Sequence, residues 1–192
     1  IIASAKTICK RYKGNQAHAE YLEQMAGKFF DLLQKYHGLG ERERLLLRLA
    51  AILHDCGKFI SMSAPGECAY QIIMSTEILG ISHMEREMVA SIVRYNTMEL
   101  PNFNEFDGKL GNDEYLIVMK LAAILRVCNA LDRSHRQKFA DMKLTIKDSN
   151  IVITTAYPDN ITLEKKTLQD KQDFFEEVYG LGFEIKQKKK KQ

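Results

Sequence analysis

The sequence predicts a mainly α protein, a helical bundle of six or seven helices followed by a small α+β C-terminal part with antiparallel strands and one helix. Three observations carry that expectation. Apolar residues recur at the helical period from the start of the chain to about Arg133. From about Phe139 the texture changes, and Met142 to Lys147 and Ile151 to Ala156 alternate apolar and polar in the manner of strands. Between Leu45 and Leu53 every residue but Arg48 is apolar, and a helix apolar on almost every side belongs in the middle of a domain. The expected division is 1–138 for the helical domain and 139–192 for the α+β appendage with its Lys-rich tail.

Taken in order, residues 1–13 have helical character, and Gly14-Asn15 interrupts them. Asn15 is placed to cap a helix from about Gln16 to His37, whose buried face is Leu22, Met25, Ala26, Phe29, Phe30 and Leu33. His37-Gly38 reads as its stop. The central helix runs from Arg44 to Phe59, with Gly57 able to close it in the left-handed conformation. Ser63 to Gly66 is a turn, and Glu67 to Leu79 is helical. Ser82 with Glu85 forms a capping box for a helix that turns Met88, Val89, Ile92 and Val93 inward and leaves His83 to solvent. Leu100 to Asn112 is the longest loop, able to lie over a cleft. Asp113 to about Arg133 is the last long helix of the bundle, burying Leu116, Met119, Ala123, Val127 and Ala130. Asp148-Ser149-Asn150 joins two strands into a hairpin, Thr162 to Tyr179 returns to helix, and Gly182 to Lys186 is a third short strand.

Composition narrows the class. A chain of 192 residues that is 45% apolar can bury one good core. It begins Ile-Ile rather than with Met, which suggests a piece excised from a larger protein. No apolar run is long enough to span a membrane and no signal-peptide pattern opens the chain, so a cytoplasmic protein without membrane contact is expected. The four cysteines, Cys9, Cys56, Cys68 and Cys128, lack paired metal spacing and read as reduced thiols. Of the net charge of +3, five charges sit on Lys186, Lys188, Lys189, Lys190 and Lys191; without them the remainder is −2. The body of the protein is therefore not basic, which argues against nucleic acid as a partner.

Three elements carry candidate ligands: His18 in the first turn of one helix, His54-Asp55 at the end of the central one, and Asn129 with Asp132 at the end of the long one. An ionised carboxylate beside an imidazole at a buried helix end needs a partner. Imidazole and carboxylate together suit a divalent metal such as Mn, Fe, Mg or Zn, although a site of this kind need not hold one. Asp132 has two readings, a ligand or a helix-end carboxylate pairing with an arginine such as Arg136.

With His18 and His54-Asp55 matching a motif of His, then His-Asp, then a distal Asp, the chain resembles the HD superfamily of helical domains, and Lys58 in HDCGK matches a frequent form of that motif. The resemblance is narrower still. NQAHAEYLEQMAGKFFDLL, LLLRLAAILHDCGKFIS, ILGISHMEREMVASIVRYN and LAAILRVCNALDRSH together resemble the C-terminal HD-type domain of the exopolyphosphatase and guanosine-pentaphosphate phosphatase (Ppx/GppA) family. That resemblance implies an HD-type bundle, actin-like domains preceding this piece, a phosphate-rich ligand or polyphosphate, and a homodimer. It implies metal ligation by His18, His54 and Asp55, a phosphate-facing Lys58, and Arg94 as a second phosphate contact. Three departures accompany it: Asn129 for the usual Asp, Ala64 to Glu67 for a His-rich segment, and Asn96 for the His of Arg-Tyr-His. A site of His18, His54, Asp55 and Asn129 carries one negative charge instead of two, so a degenerate metal site is expected. Two functions follow from the resemblance. One is a binding module of an exopolyphosphatase-like protein, contributing polyphosphate binding, domain contacts or dimerisation. The other is a metal-dependent phosphohydrolase in which Asp55 and Lys58 act at the reacting phosphate.

Overall fold

The computed structural model describes residues 1–106 and 109–188. Helices α1 (Ile2–Arg11), α2 (Gln16–Leu32), α3 (Gln34–His37), α4 (Glu41–Leu53), α5 (Pro65–Ser75), α6 (His83–Thr97) and α7 (Asn112–Leu131) form the bundle. The α+β part holds β1 (Lys143–Lys147), β2 (Asn150–Thr155), α8 (Thr162–Tyr179) and β3 (Gly182–Gln187). Among the described residues no helix is long and apolar enough to cross a membrane.

Local chemistry sets the helix ends. Asn15 Oδ1 accepts the His18 N–H at 3.0 Å and so caps α2. The helix breaks at Leu33, and α3 is one further turn, closed by Gly38 at φ 65°, where a side chain would be strained. His37 is bound into this stop: its Nε2–H donates to Phe30 O at 2.9 Å and its Nδ1 accepts the Leu39 N–H at 2.9 Å. Burial lowers its pKa, in keeping with a neutral structural ring.

The central helix α4 is covered by α1, α2, α6 and α7, as its apolar surface requires. It ends at Leu53, and the chain tightens into a 3₁₀ turn over Cys56–Phe59. Gly57 is not left-handed there. Its small size serves a different purpose, since an added Cβ would stand 1.9 Å from Pro65 O and 2.5 Å from Ala69 N. The first turn of α5 rests directly on it. The loop before α7 folds inward rather than arching outward: Phe106 and Leu110 are buried, and Phe106 packs edgewise on Tyr115. Asp107 and Gly108 of this loop lie outside the described residues, as do Lys189 to Lys191 of the Lys-rich tail.

Helix α7 is covered more completely than one apolar stripe predicts. Every residue from Leu121 to Leu125 is buried, while Leu116 is exposed. The helix packs against α2, α4 and α6 and also carries α8, so little of its circumference is left for water.

β1 and β2 pair antiparallel, with Leu144 opposite Ile153 and Ile146 opposite Ile151, around a turn in which Asp148 and Ser149 both have positive φ. β3 joins β2 in parallel, so the three strands in order β1-β2-β3 make a mixed sheet instead of an antiparallel one. The cause is α8, which carries the chain back to the starting end of β2 before β3 begins. Phe139, Ile151, Ile153, Leu168 and Phe175 belong to the same apolar core as the bundle, which therefore continues past residue 138.

Candidate metal centre

Three helix ends converge on one polar cluster. His18 comes from the first turn of α2, His54 from the C-terminal end of α4 with Asp55 next to it, and Asp132 from the C-terminal end of α7. His18 Nδ1 lies 2.6 Å from Asp132 Oδ2, and both side chains are only 1% exposed. The other oxygen of Asp132 accepts the Gln137 N–H at 2.8 Å. His54 Nδ1–H donates to Ala51 O at 2.7 Å, and the His18 and His54 rings meet edge to face with centroids 4.9 Å apart.

These partners fix the tautomers. With Nδ1 of each ring committed as a donor, Nε2 is left with its lone pair, and Nε2 of both His18 and His54 is buried without a hydrogen-bond partner. Burial pushes the His54 pKa down to about 4, so the ring is neutral near pH 7. Its Nε2 lies 3.2 Å from Asp55 Oδ1. No proton sits between them in this tautomer, and a lone pair facing a carboxylate oxygen at that range calls for a cation. Burial alone raises the Asp55 pKa, but His54 and the Lys58 ammonium, 2.7 Å from Oδ1, outweigh it and hold the carboxyl below its ordinary value.

His135 is a residue that the sequence did not single out. Its ring stacks on His18 with centroids 3.8 Å apart and planes 15° from parallel. It sits on the turn after α7 with φ 56°. His18, Asp55 and His135 each offer an atom within 4.8 Å of the others. Nδ1 of His135 accepts from the Asn15 amide at 3.3 Å, which leaves Nε2–H as a donor. An available signal was its place in LDRSH, three residues beyond the distal acidic position. The cluster opens on a groove of about 290 Å³ lined by Asp55, Lys58, His135, Lys13, Asn15 and Phe59, among others. Lys13 lies over the Phe59 ring, 5.5 Å from its centroid.

His18, His54, Asp55, Lys58 and Asp132 are thus brought together, and Asp132 pairs with His18 rather than with Arg136. Asn129 is not in the cluster. It lines a separate hollow with Asn96, Arg126 and Arg133. α7 ends at Leu131, and Asp132 follows it in a nonhelical conformation (φ −119°, ψ 34°). Arg94 is elsewhere too, paired with Glu67 at 2.8 Å and stacked over Tyr70. The segment Ala64 to Glu67 begins α5 and packs on Gly57 and the end of α6. Asn129, Asn96 and Ala64 to Glu67 therefore all lie outside the groups that surround His18 and His54, which have two carboxylates, Asp55 and Asp132, beside them.

The donor set fits a divalent ion. His18, Asp55 and His135 offer ligand atoms within 4.8 Å of one another, His54 Nε2 lies 3.2 Å from Asp55 Oδ1, and Asp132 and Ala51 O orient the His18 and His54 rings from behind, as outer partners of metal-bound histidines do. No curated protein matches the chain. The family model described as Ppx/GppA phosphatase, domain III, matches residues 2–173, from α1 through most of α8. A match of that extent, across every element that builds the cluster, places the chain in the Ppx/GppA phosphatase family, of which it carries domain III.

Proposed function

We propose that this domain binds the phosphate chain of polyphosphate or of a polyphosphorylated nucleotide in the groove beside the cluster, with a divalent ion, Mn, Mg, Fe or Zn, held by His18, His54 and Asp55. The observations that support this reading are the orphaned Nε2 of His54 3.2 Å from the Asp55 carboxylate and the atoms of His18 and His135 that lie within 4.8 Å of the same carboxylate and of each other. Buried polar groups are almost always satisfied, and a cation beside Asp55 would give an orphaned imidazole nitrogen its partner. A bound divalent ion supplies charge that polarises a phosphoryl oxygen. The protein's own groups do the rest. Lys58 and Lys13 put ammonium groups on the rim, His135 offers Nε2–H, and Asn15 holds that ring in place. Asp132 keeps the His18 lone pair aimed away from itself by accepting the opposite N–H.

A second reading, hydrolysis of phosphoester or phosphoanhydride bonds, is favoured by one observation: His135 stands beside the groove as a hydrogen-bond donor, with Lys58 near the same carboxylate. One assay separates the two. Polyphosphate and guanosine pentaphosphate are offered to the purified chain with Mn, Mg, Fe or Zn and with EDTA, and both retention and phosphate release are followed. Metal-dependent retention without release supports the binding module. Release abolished by His54→Ala establishes the hydrolase. Retention that ignores both EDTA and His54→Ala would contradict both.

A further inference from the structure

The geometry points to a second ligand site, for a phosphate-type anion, in the hollow between α6, α7 and α8, and it needs neither a metal nor any residue of the histidine cluster. Asn96 and Thr97 from α6, Arg126 and Asn129 from α7, Arg133 just beyond it, and Lys171 from α8 line a space of about 220 Å³. Three cations face this space and no carboxylate lines it. Among the described residues none of the three has an ion pair. Arg126 and Lys171 also border the adjoining hollow, which holds Glu99, Asp170 and Asp173, whereas on the side shared with Arg133 an anion would meet cations alone.

Two further features mark a built site. Arg126 is held in place, donating from Nε to Tyr95 O at 2.7 Å and from Nη2 to Met98 O at 2.5 Å, with its guanidinium 4.3 Å from the Phe174 ring centroid. It also neutralises the carbonyl end of α6, which would otherwise oppose an anion. Asn96 is 4% exposed, and neither its amide nitrogen nor its oxygen has a hydrogen-bond partner. A buried amide left unpaired destabilises the fold, and an anion oxygen in the hollow would accept its N–H. The adjoining hollow shares Asn96, Thr97, Arg126 and Lys171 and adds Glu99, Asp170 and Asp173, whose charge favours an anion on the Arg133 side.

The test is a calorimetric titration of inorganic pyrophosphate into the full chain in EDTA, so that the metal cluster contributes nothing. One saturable site is expected. Arg133→Gln with Lys171→Gln should weaken it about tenfold or more. Lys143→Gln with Lys147→Gln, which removes the same charge from β1, should leave it unchanged. Asn96→Leu should also weaken binding while its melting temperature stays at or above that of the parent, because it deletes an unsatisfied amide; if that variant fails to fold, the two double variants decide. The proposal is overturned by absence of saturable binding, by equal weakening in both double variants, or by binding that survives Arg133→Gln with Lys171→Gln and is lost with Lys58→Ala. The last outcome assigns the anion to the other groove and leaves the proposed function standing.

Discussion

Asp132 accepts two hydrogen bonds at once, one from His18 and one from the backbone N–H of Gln137, and both donors are left orphaned if it is shortened. Asp132→Ala is expected to lose about 1–3 kcal/mol of stability for the unpaired donors. It should also weaken divalent-metal affinity by about 10- to 100-fold, the usual cost of removing an outer partner of a ligating histidine. Urea denaturation and metal titration measure the two separately. Gly57→Ala tests packing instead, since its Cβ would overlap Pro65 O and force α5 away; a loss of about 1–3 kcal/mol or more is expected in the same denaturation. At this scale the sequence was legible where chemistry is written in adjacent residues. His54-Asp55 at the end of an apolar run announces itself, as does Asn15 before α2. The partnership of Asp132 with His18 spans 114 residues and depends on where α7 stops, and His135 depends on a left-handed turn. Neither leaves a periodic trace.

Helix ends were read well when the cap is local and poorly when the partner is distant. Ser82 and Glu85 form the expected capping box, Ser82 Oγ accepting the Glu85 N–H at 3.1 Å and Glu85 accepting the Ser82 N–H at 2.7 Å. Ser82→Ala should cost about 1 kcal/mol. Arg42 grips the same carboxylate from α4, a contact no local pattern indicates. Chiefly through that hydrogen bond, the Glu85 pKa falls from 4.5 to about 2. A carboxylate depressed in the folded state stabilises it above the unfolded value and loses that contribution as pH falls through the folded one. Stability should therefore drop between about pH 4.5 and pH 2, and Arg42→Ala should flatten that part of the profile, measured by thermal unfolding across the range. The buried face of α7 was read too narrowly because periodicity marks only the strongest stripe. The direction of β3 escaped because alternation shows that a segment is a strand and is silent on which way it runs.

The bundle and the α+β part share one apolar core, and Lys138 ties them, its ammonium 3.1 Å from the fully buried Glu164, which also accepts from Ser134 Oγ at 2.6 Å. Unfolding should be a single transition in which helix and near-ultraviolet aromatic signals coincide. Lys138→Ala should destabilise by about 3–5 kcal/mol, because it strands a buried carboxylate. The overall class was legible since most of the chain follows one helical period. The site was only partly so, because three helix ends separated along the chain make it. His18, His54 and Asp55, backed by Asp132, are the proposed metal ligands, and Asn129 is proposed to take no part. Calorimetric titration of Mn into metal-free protein tests this proposal most directly, with His18→Ala, His54→Ala and Asn129→Asp beside the parent chain. Binding near one ion per chain, abolished by either histidine change and unaltered by Asn129→Asp, is the expected result. No binding by the parent chain, or binding that appears only with Asn129→Asp, would contradict it.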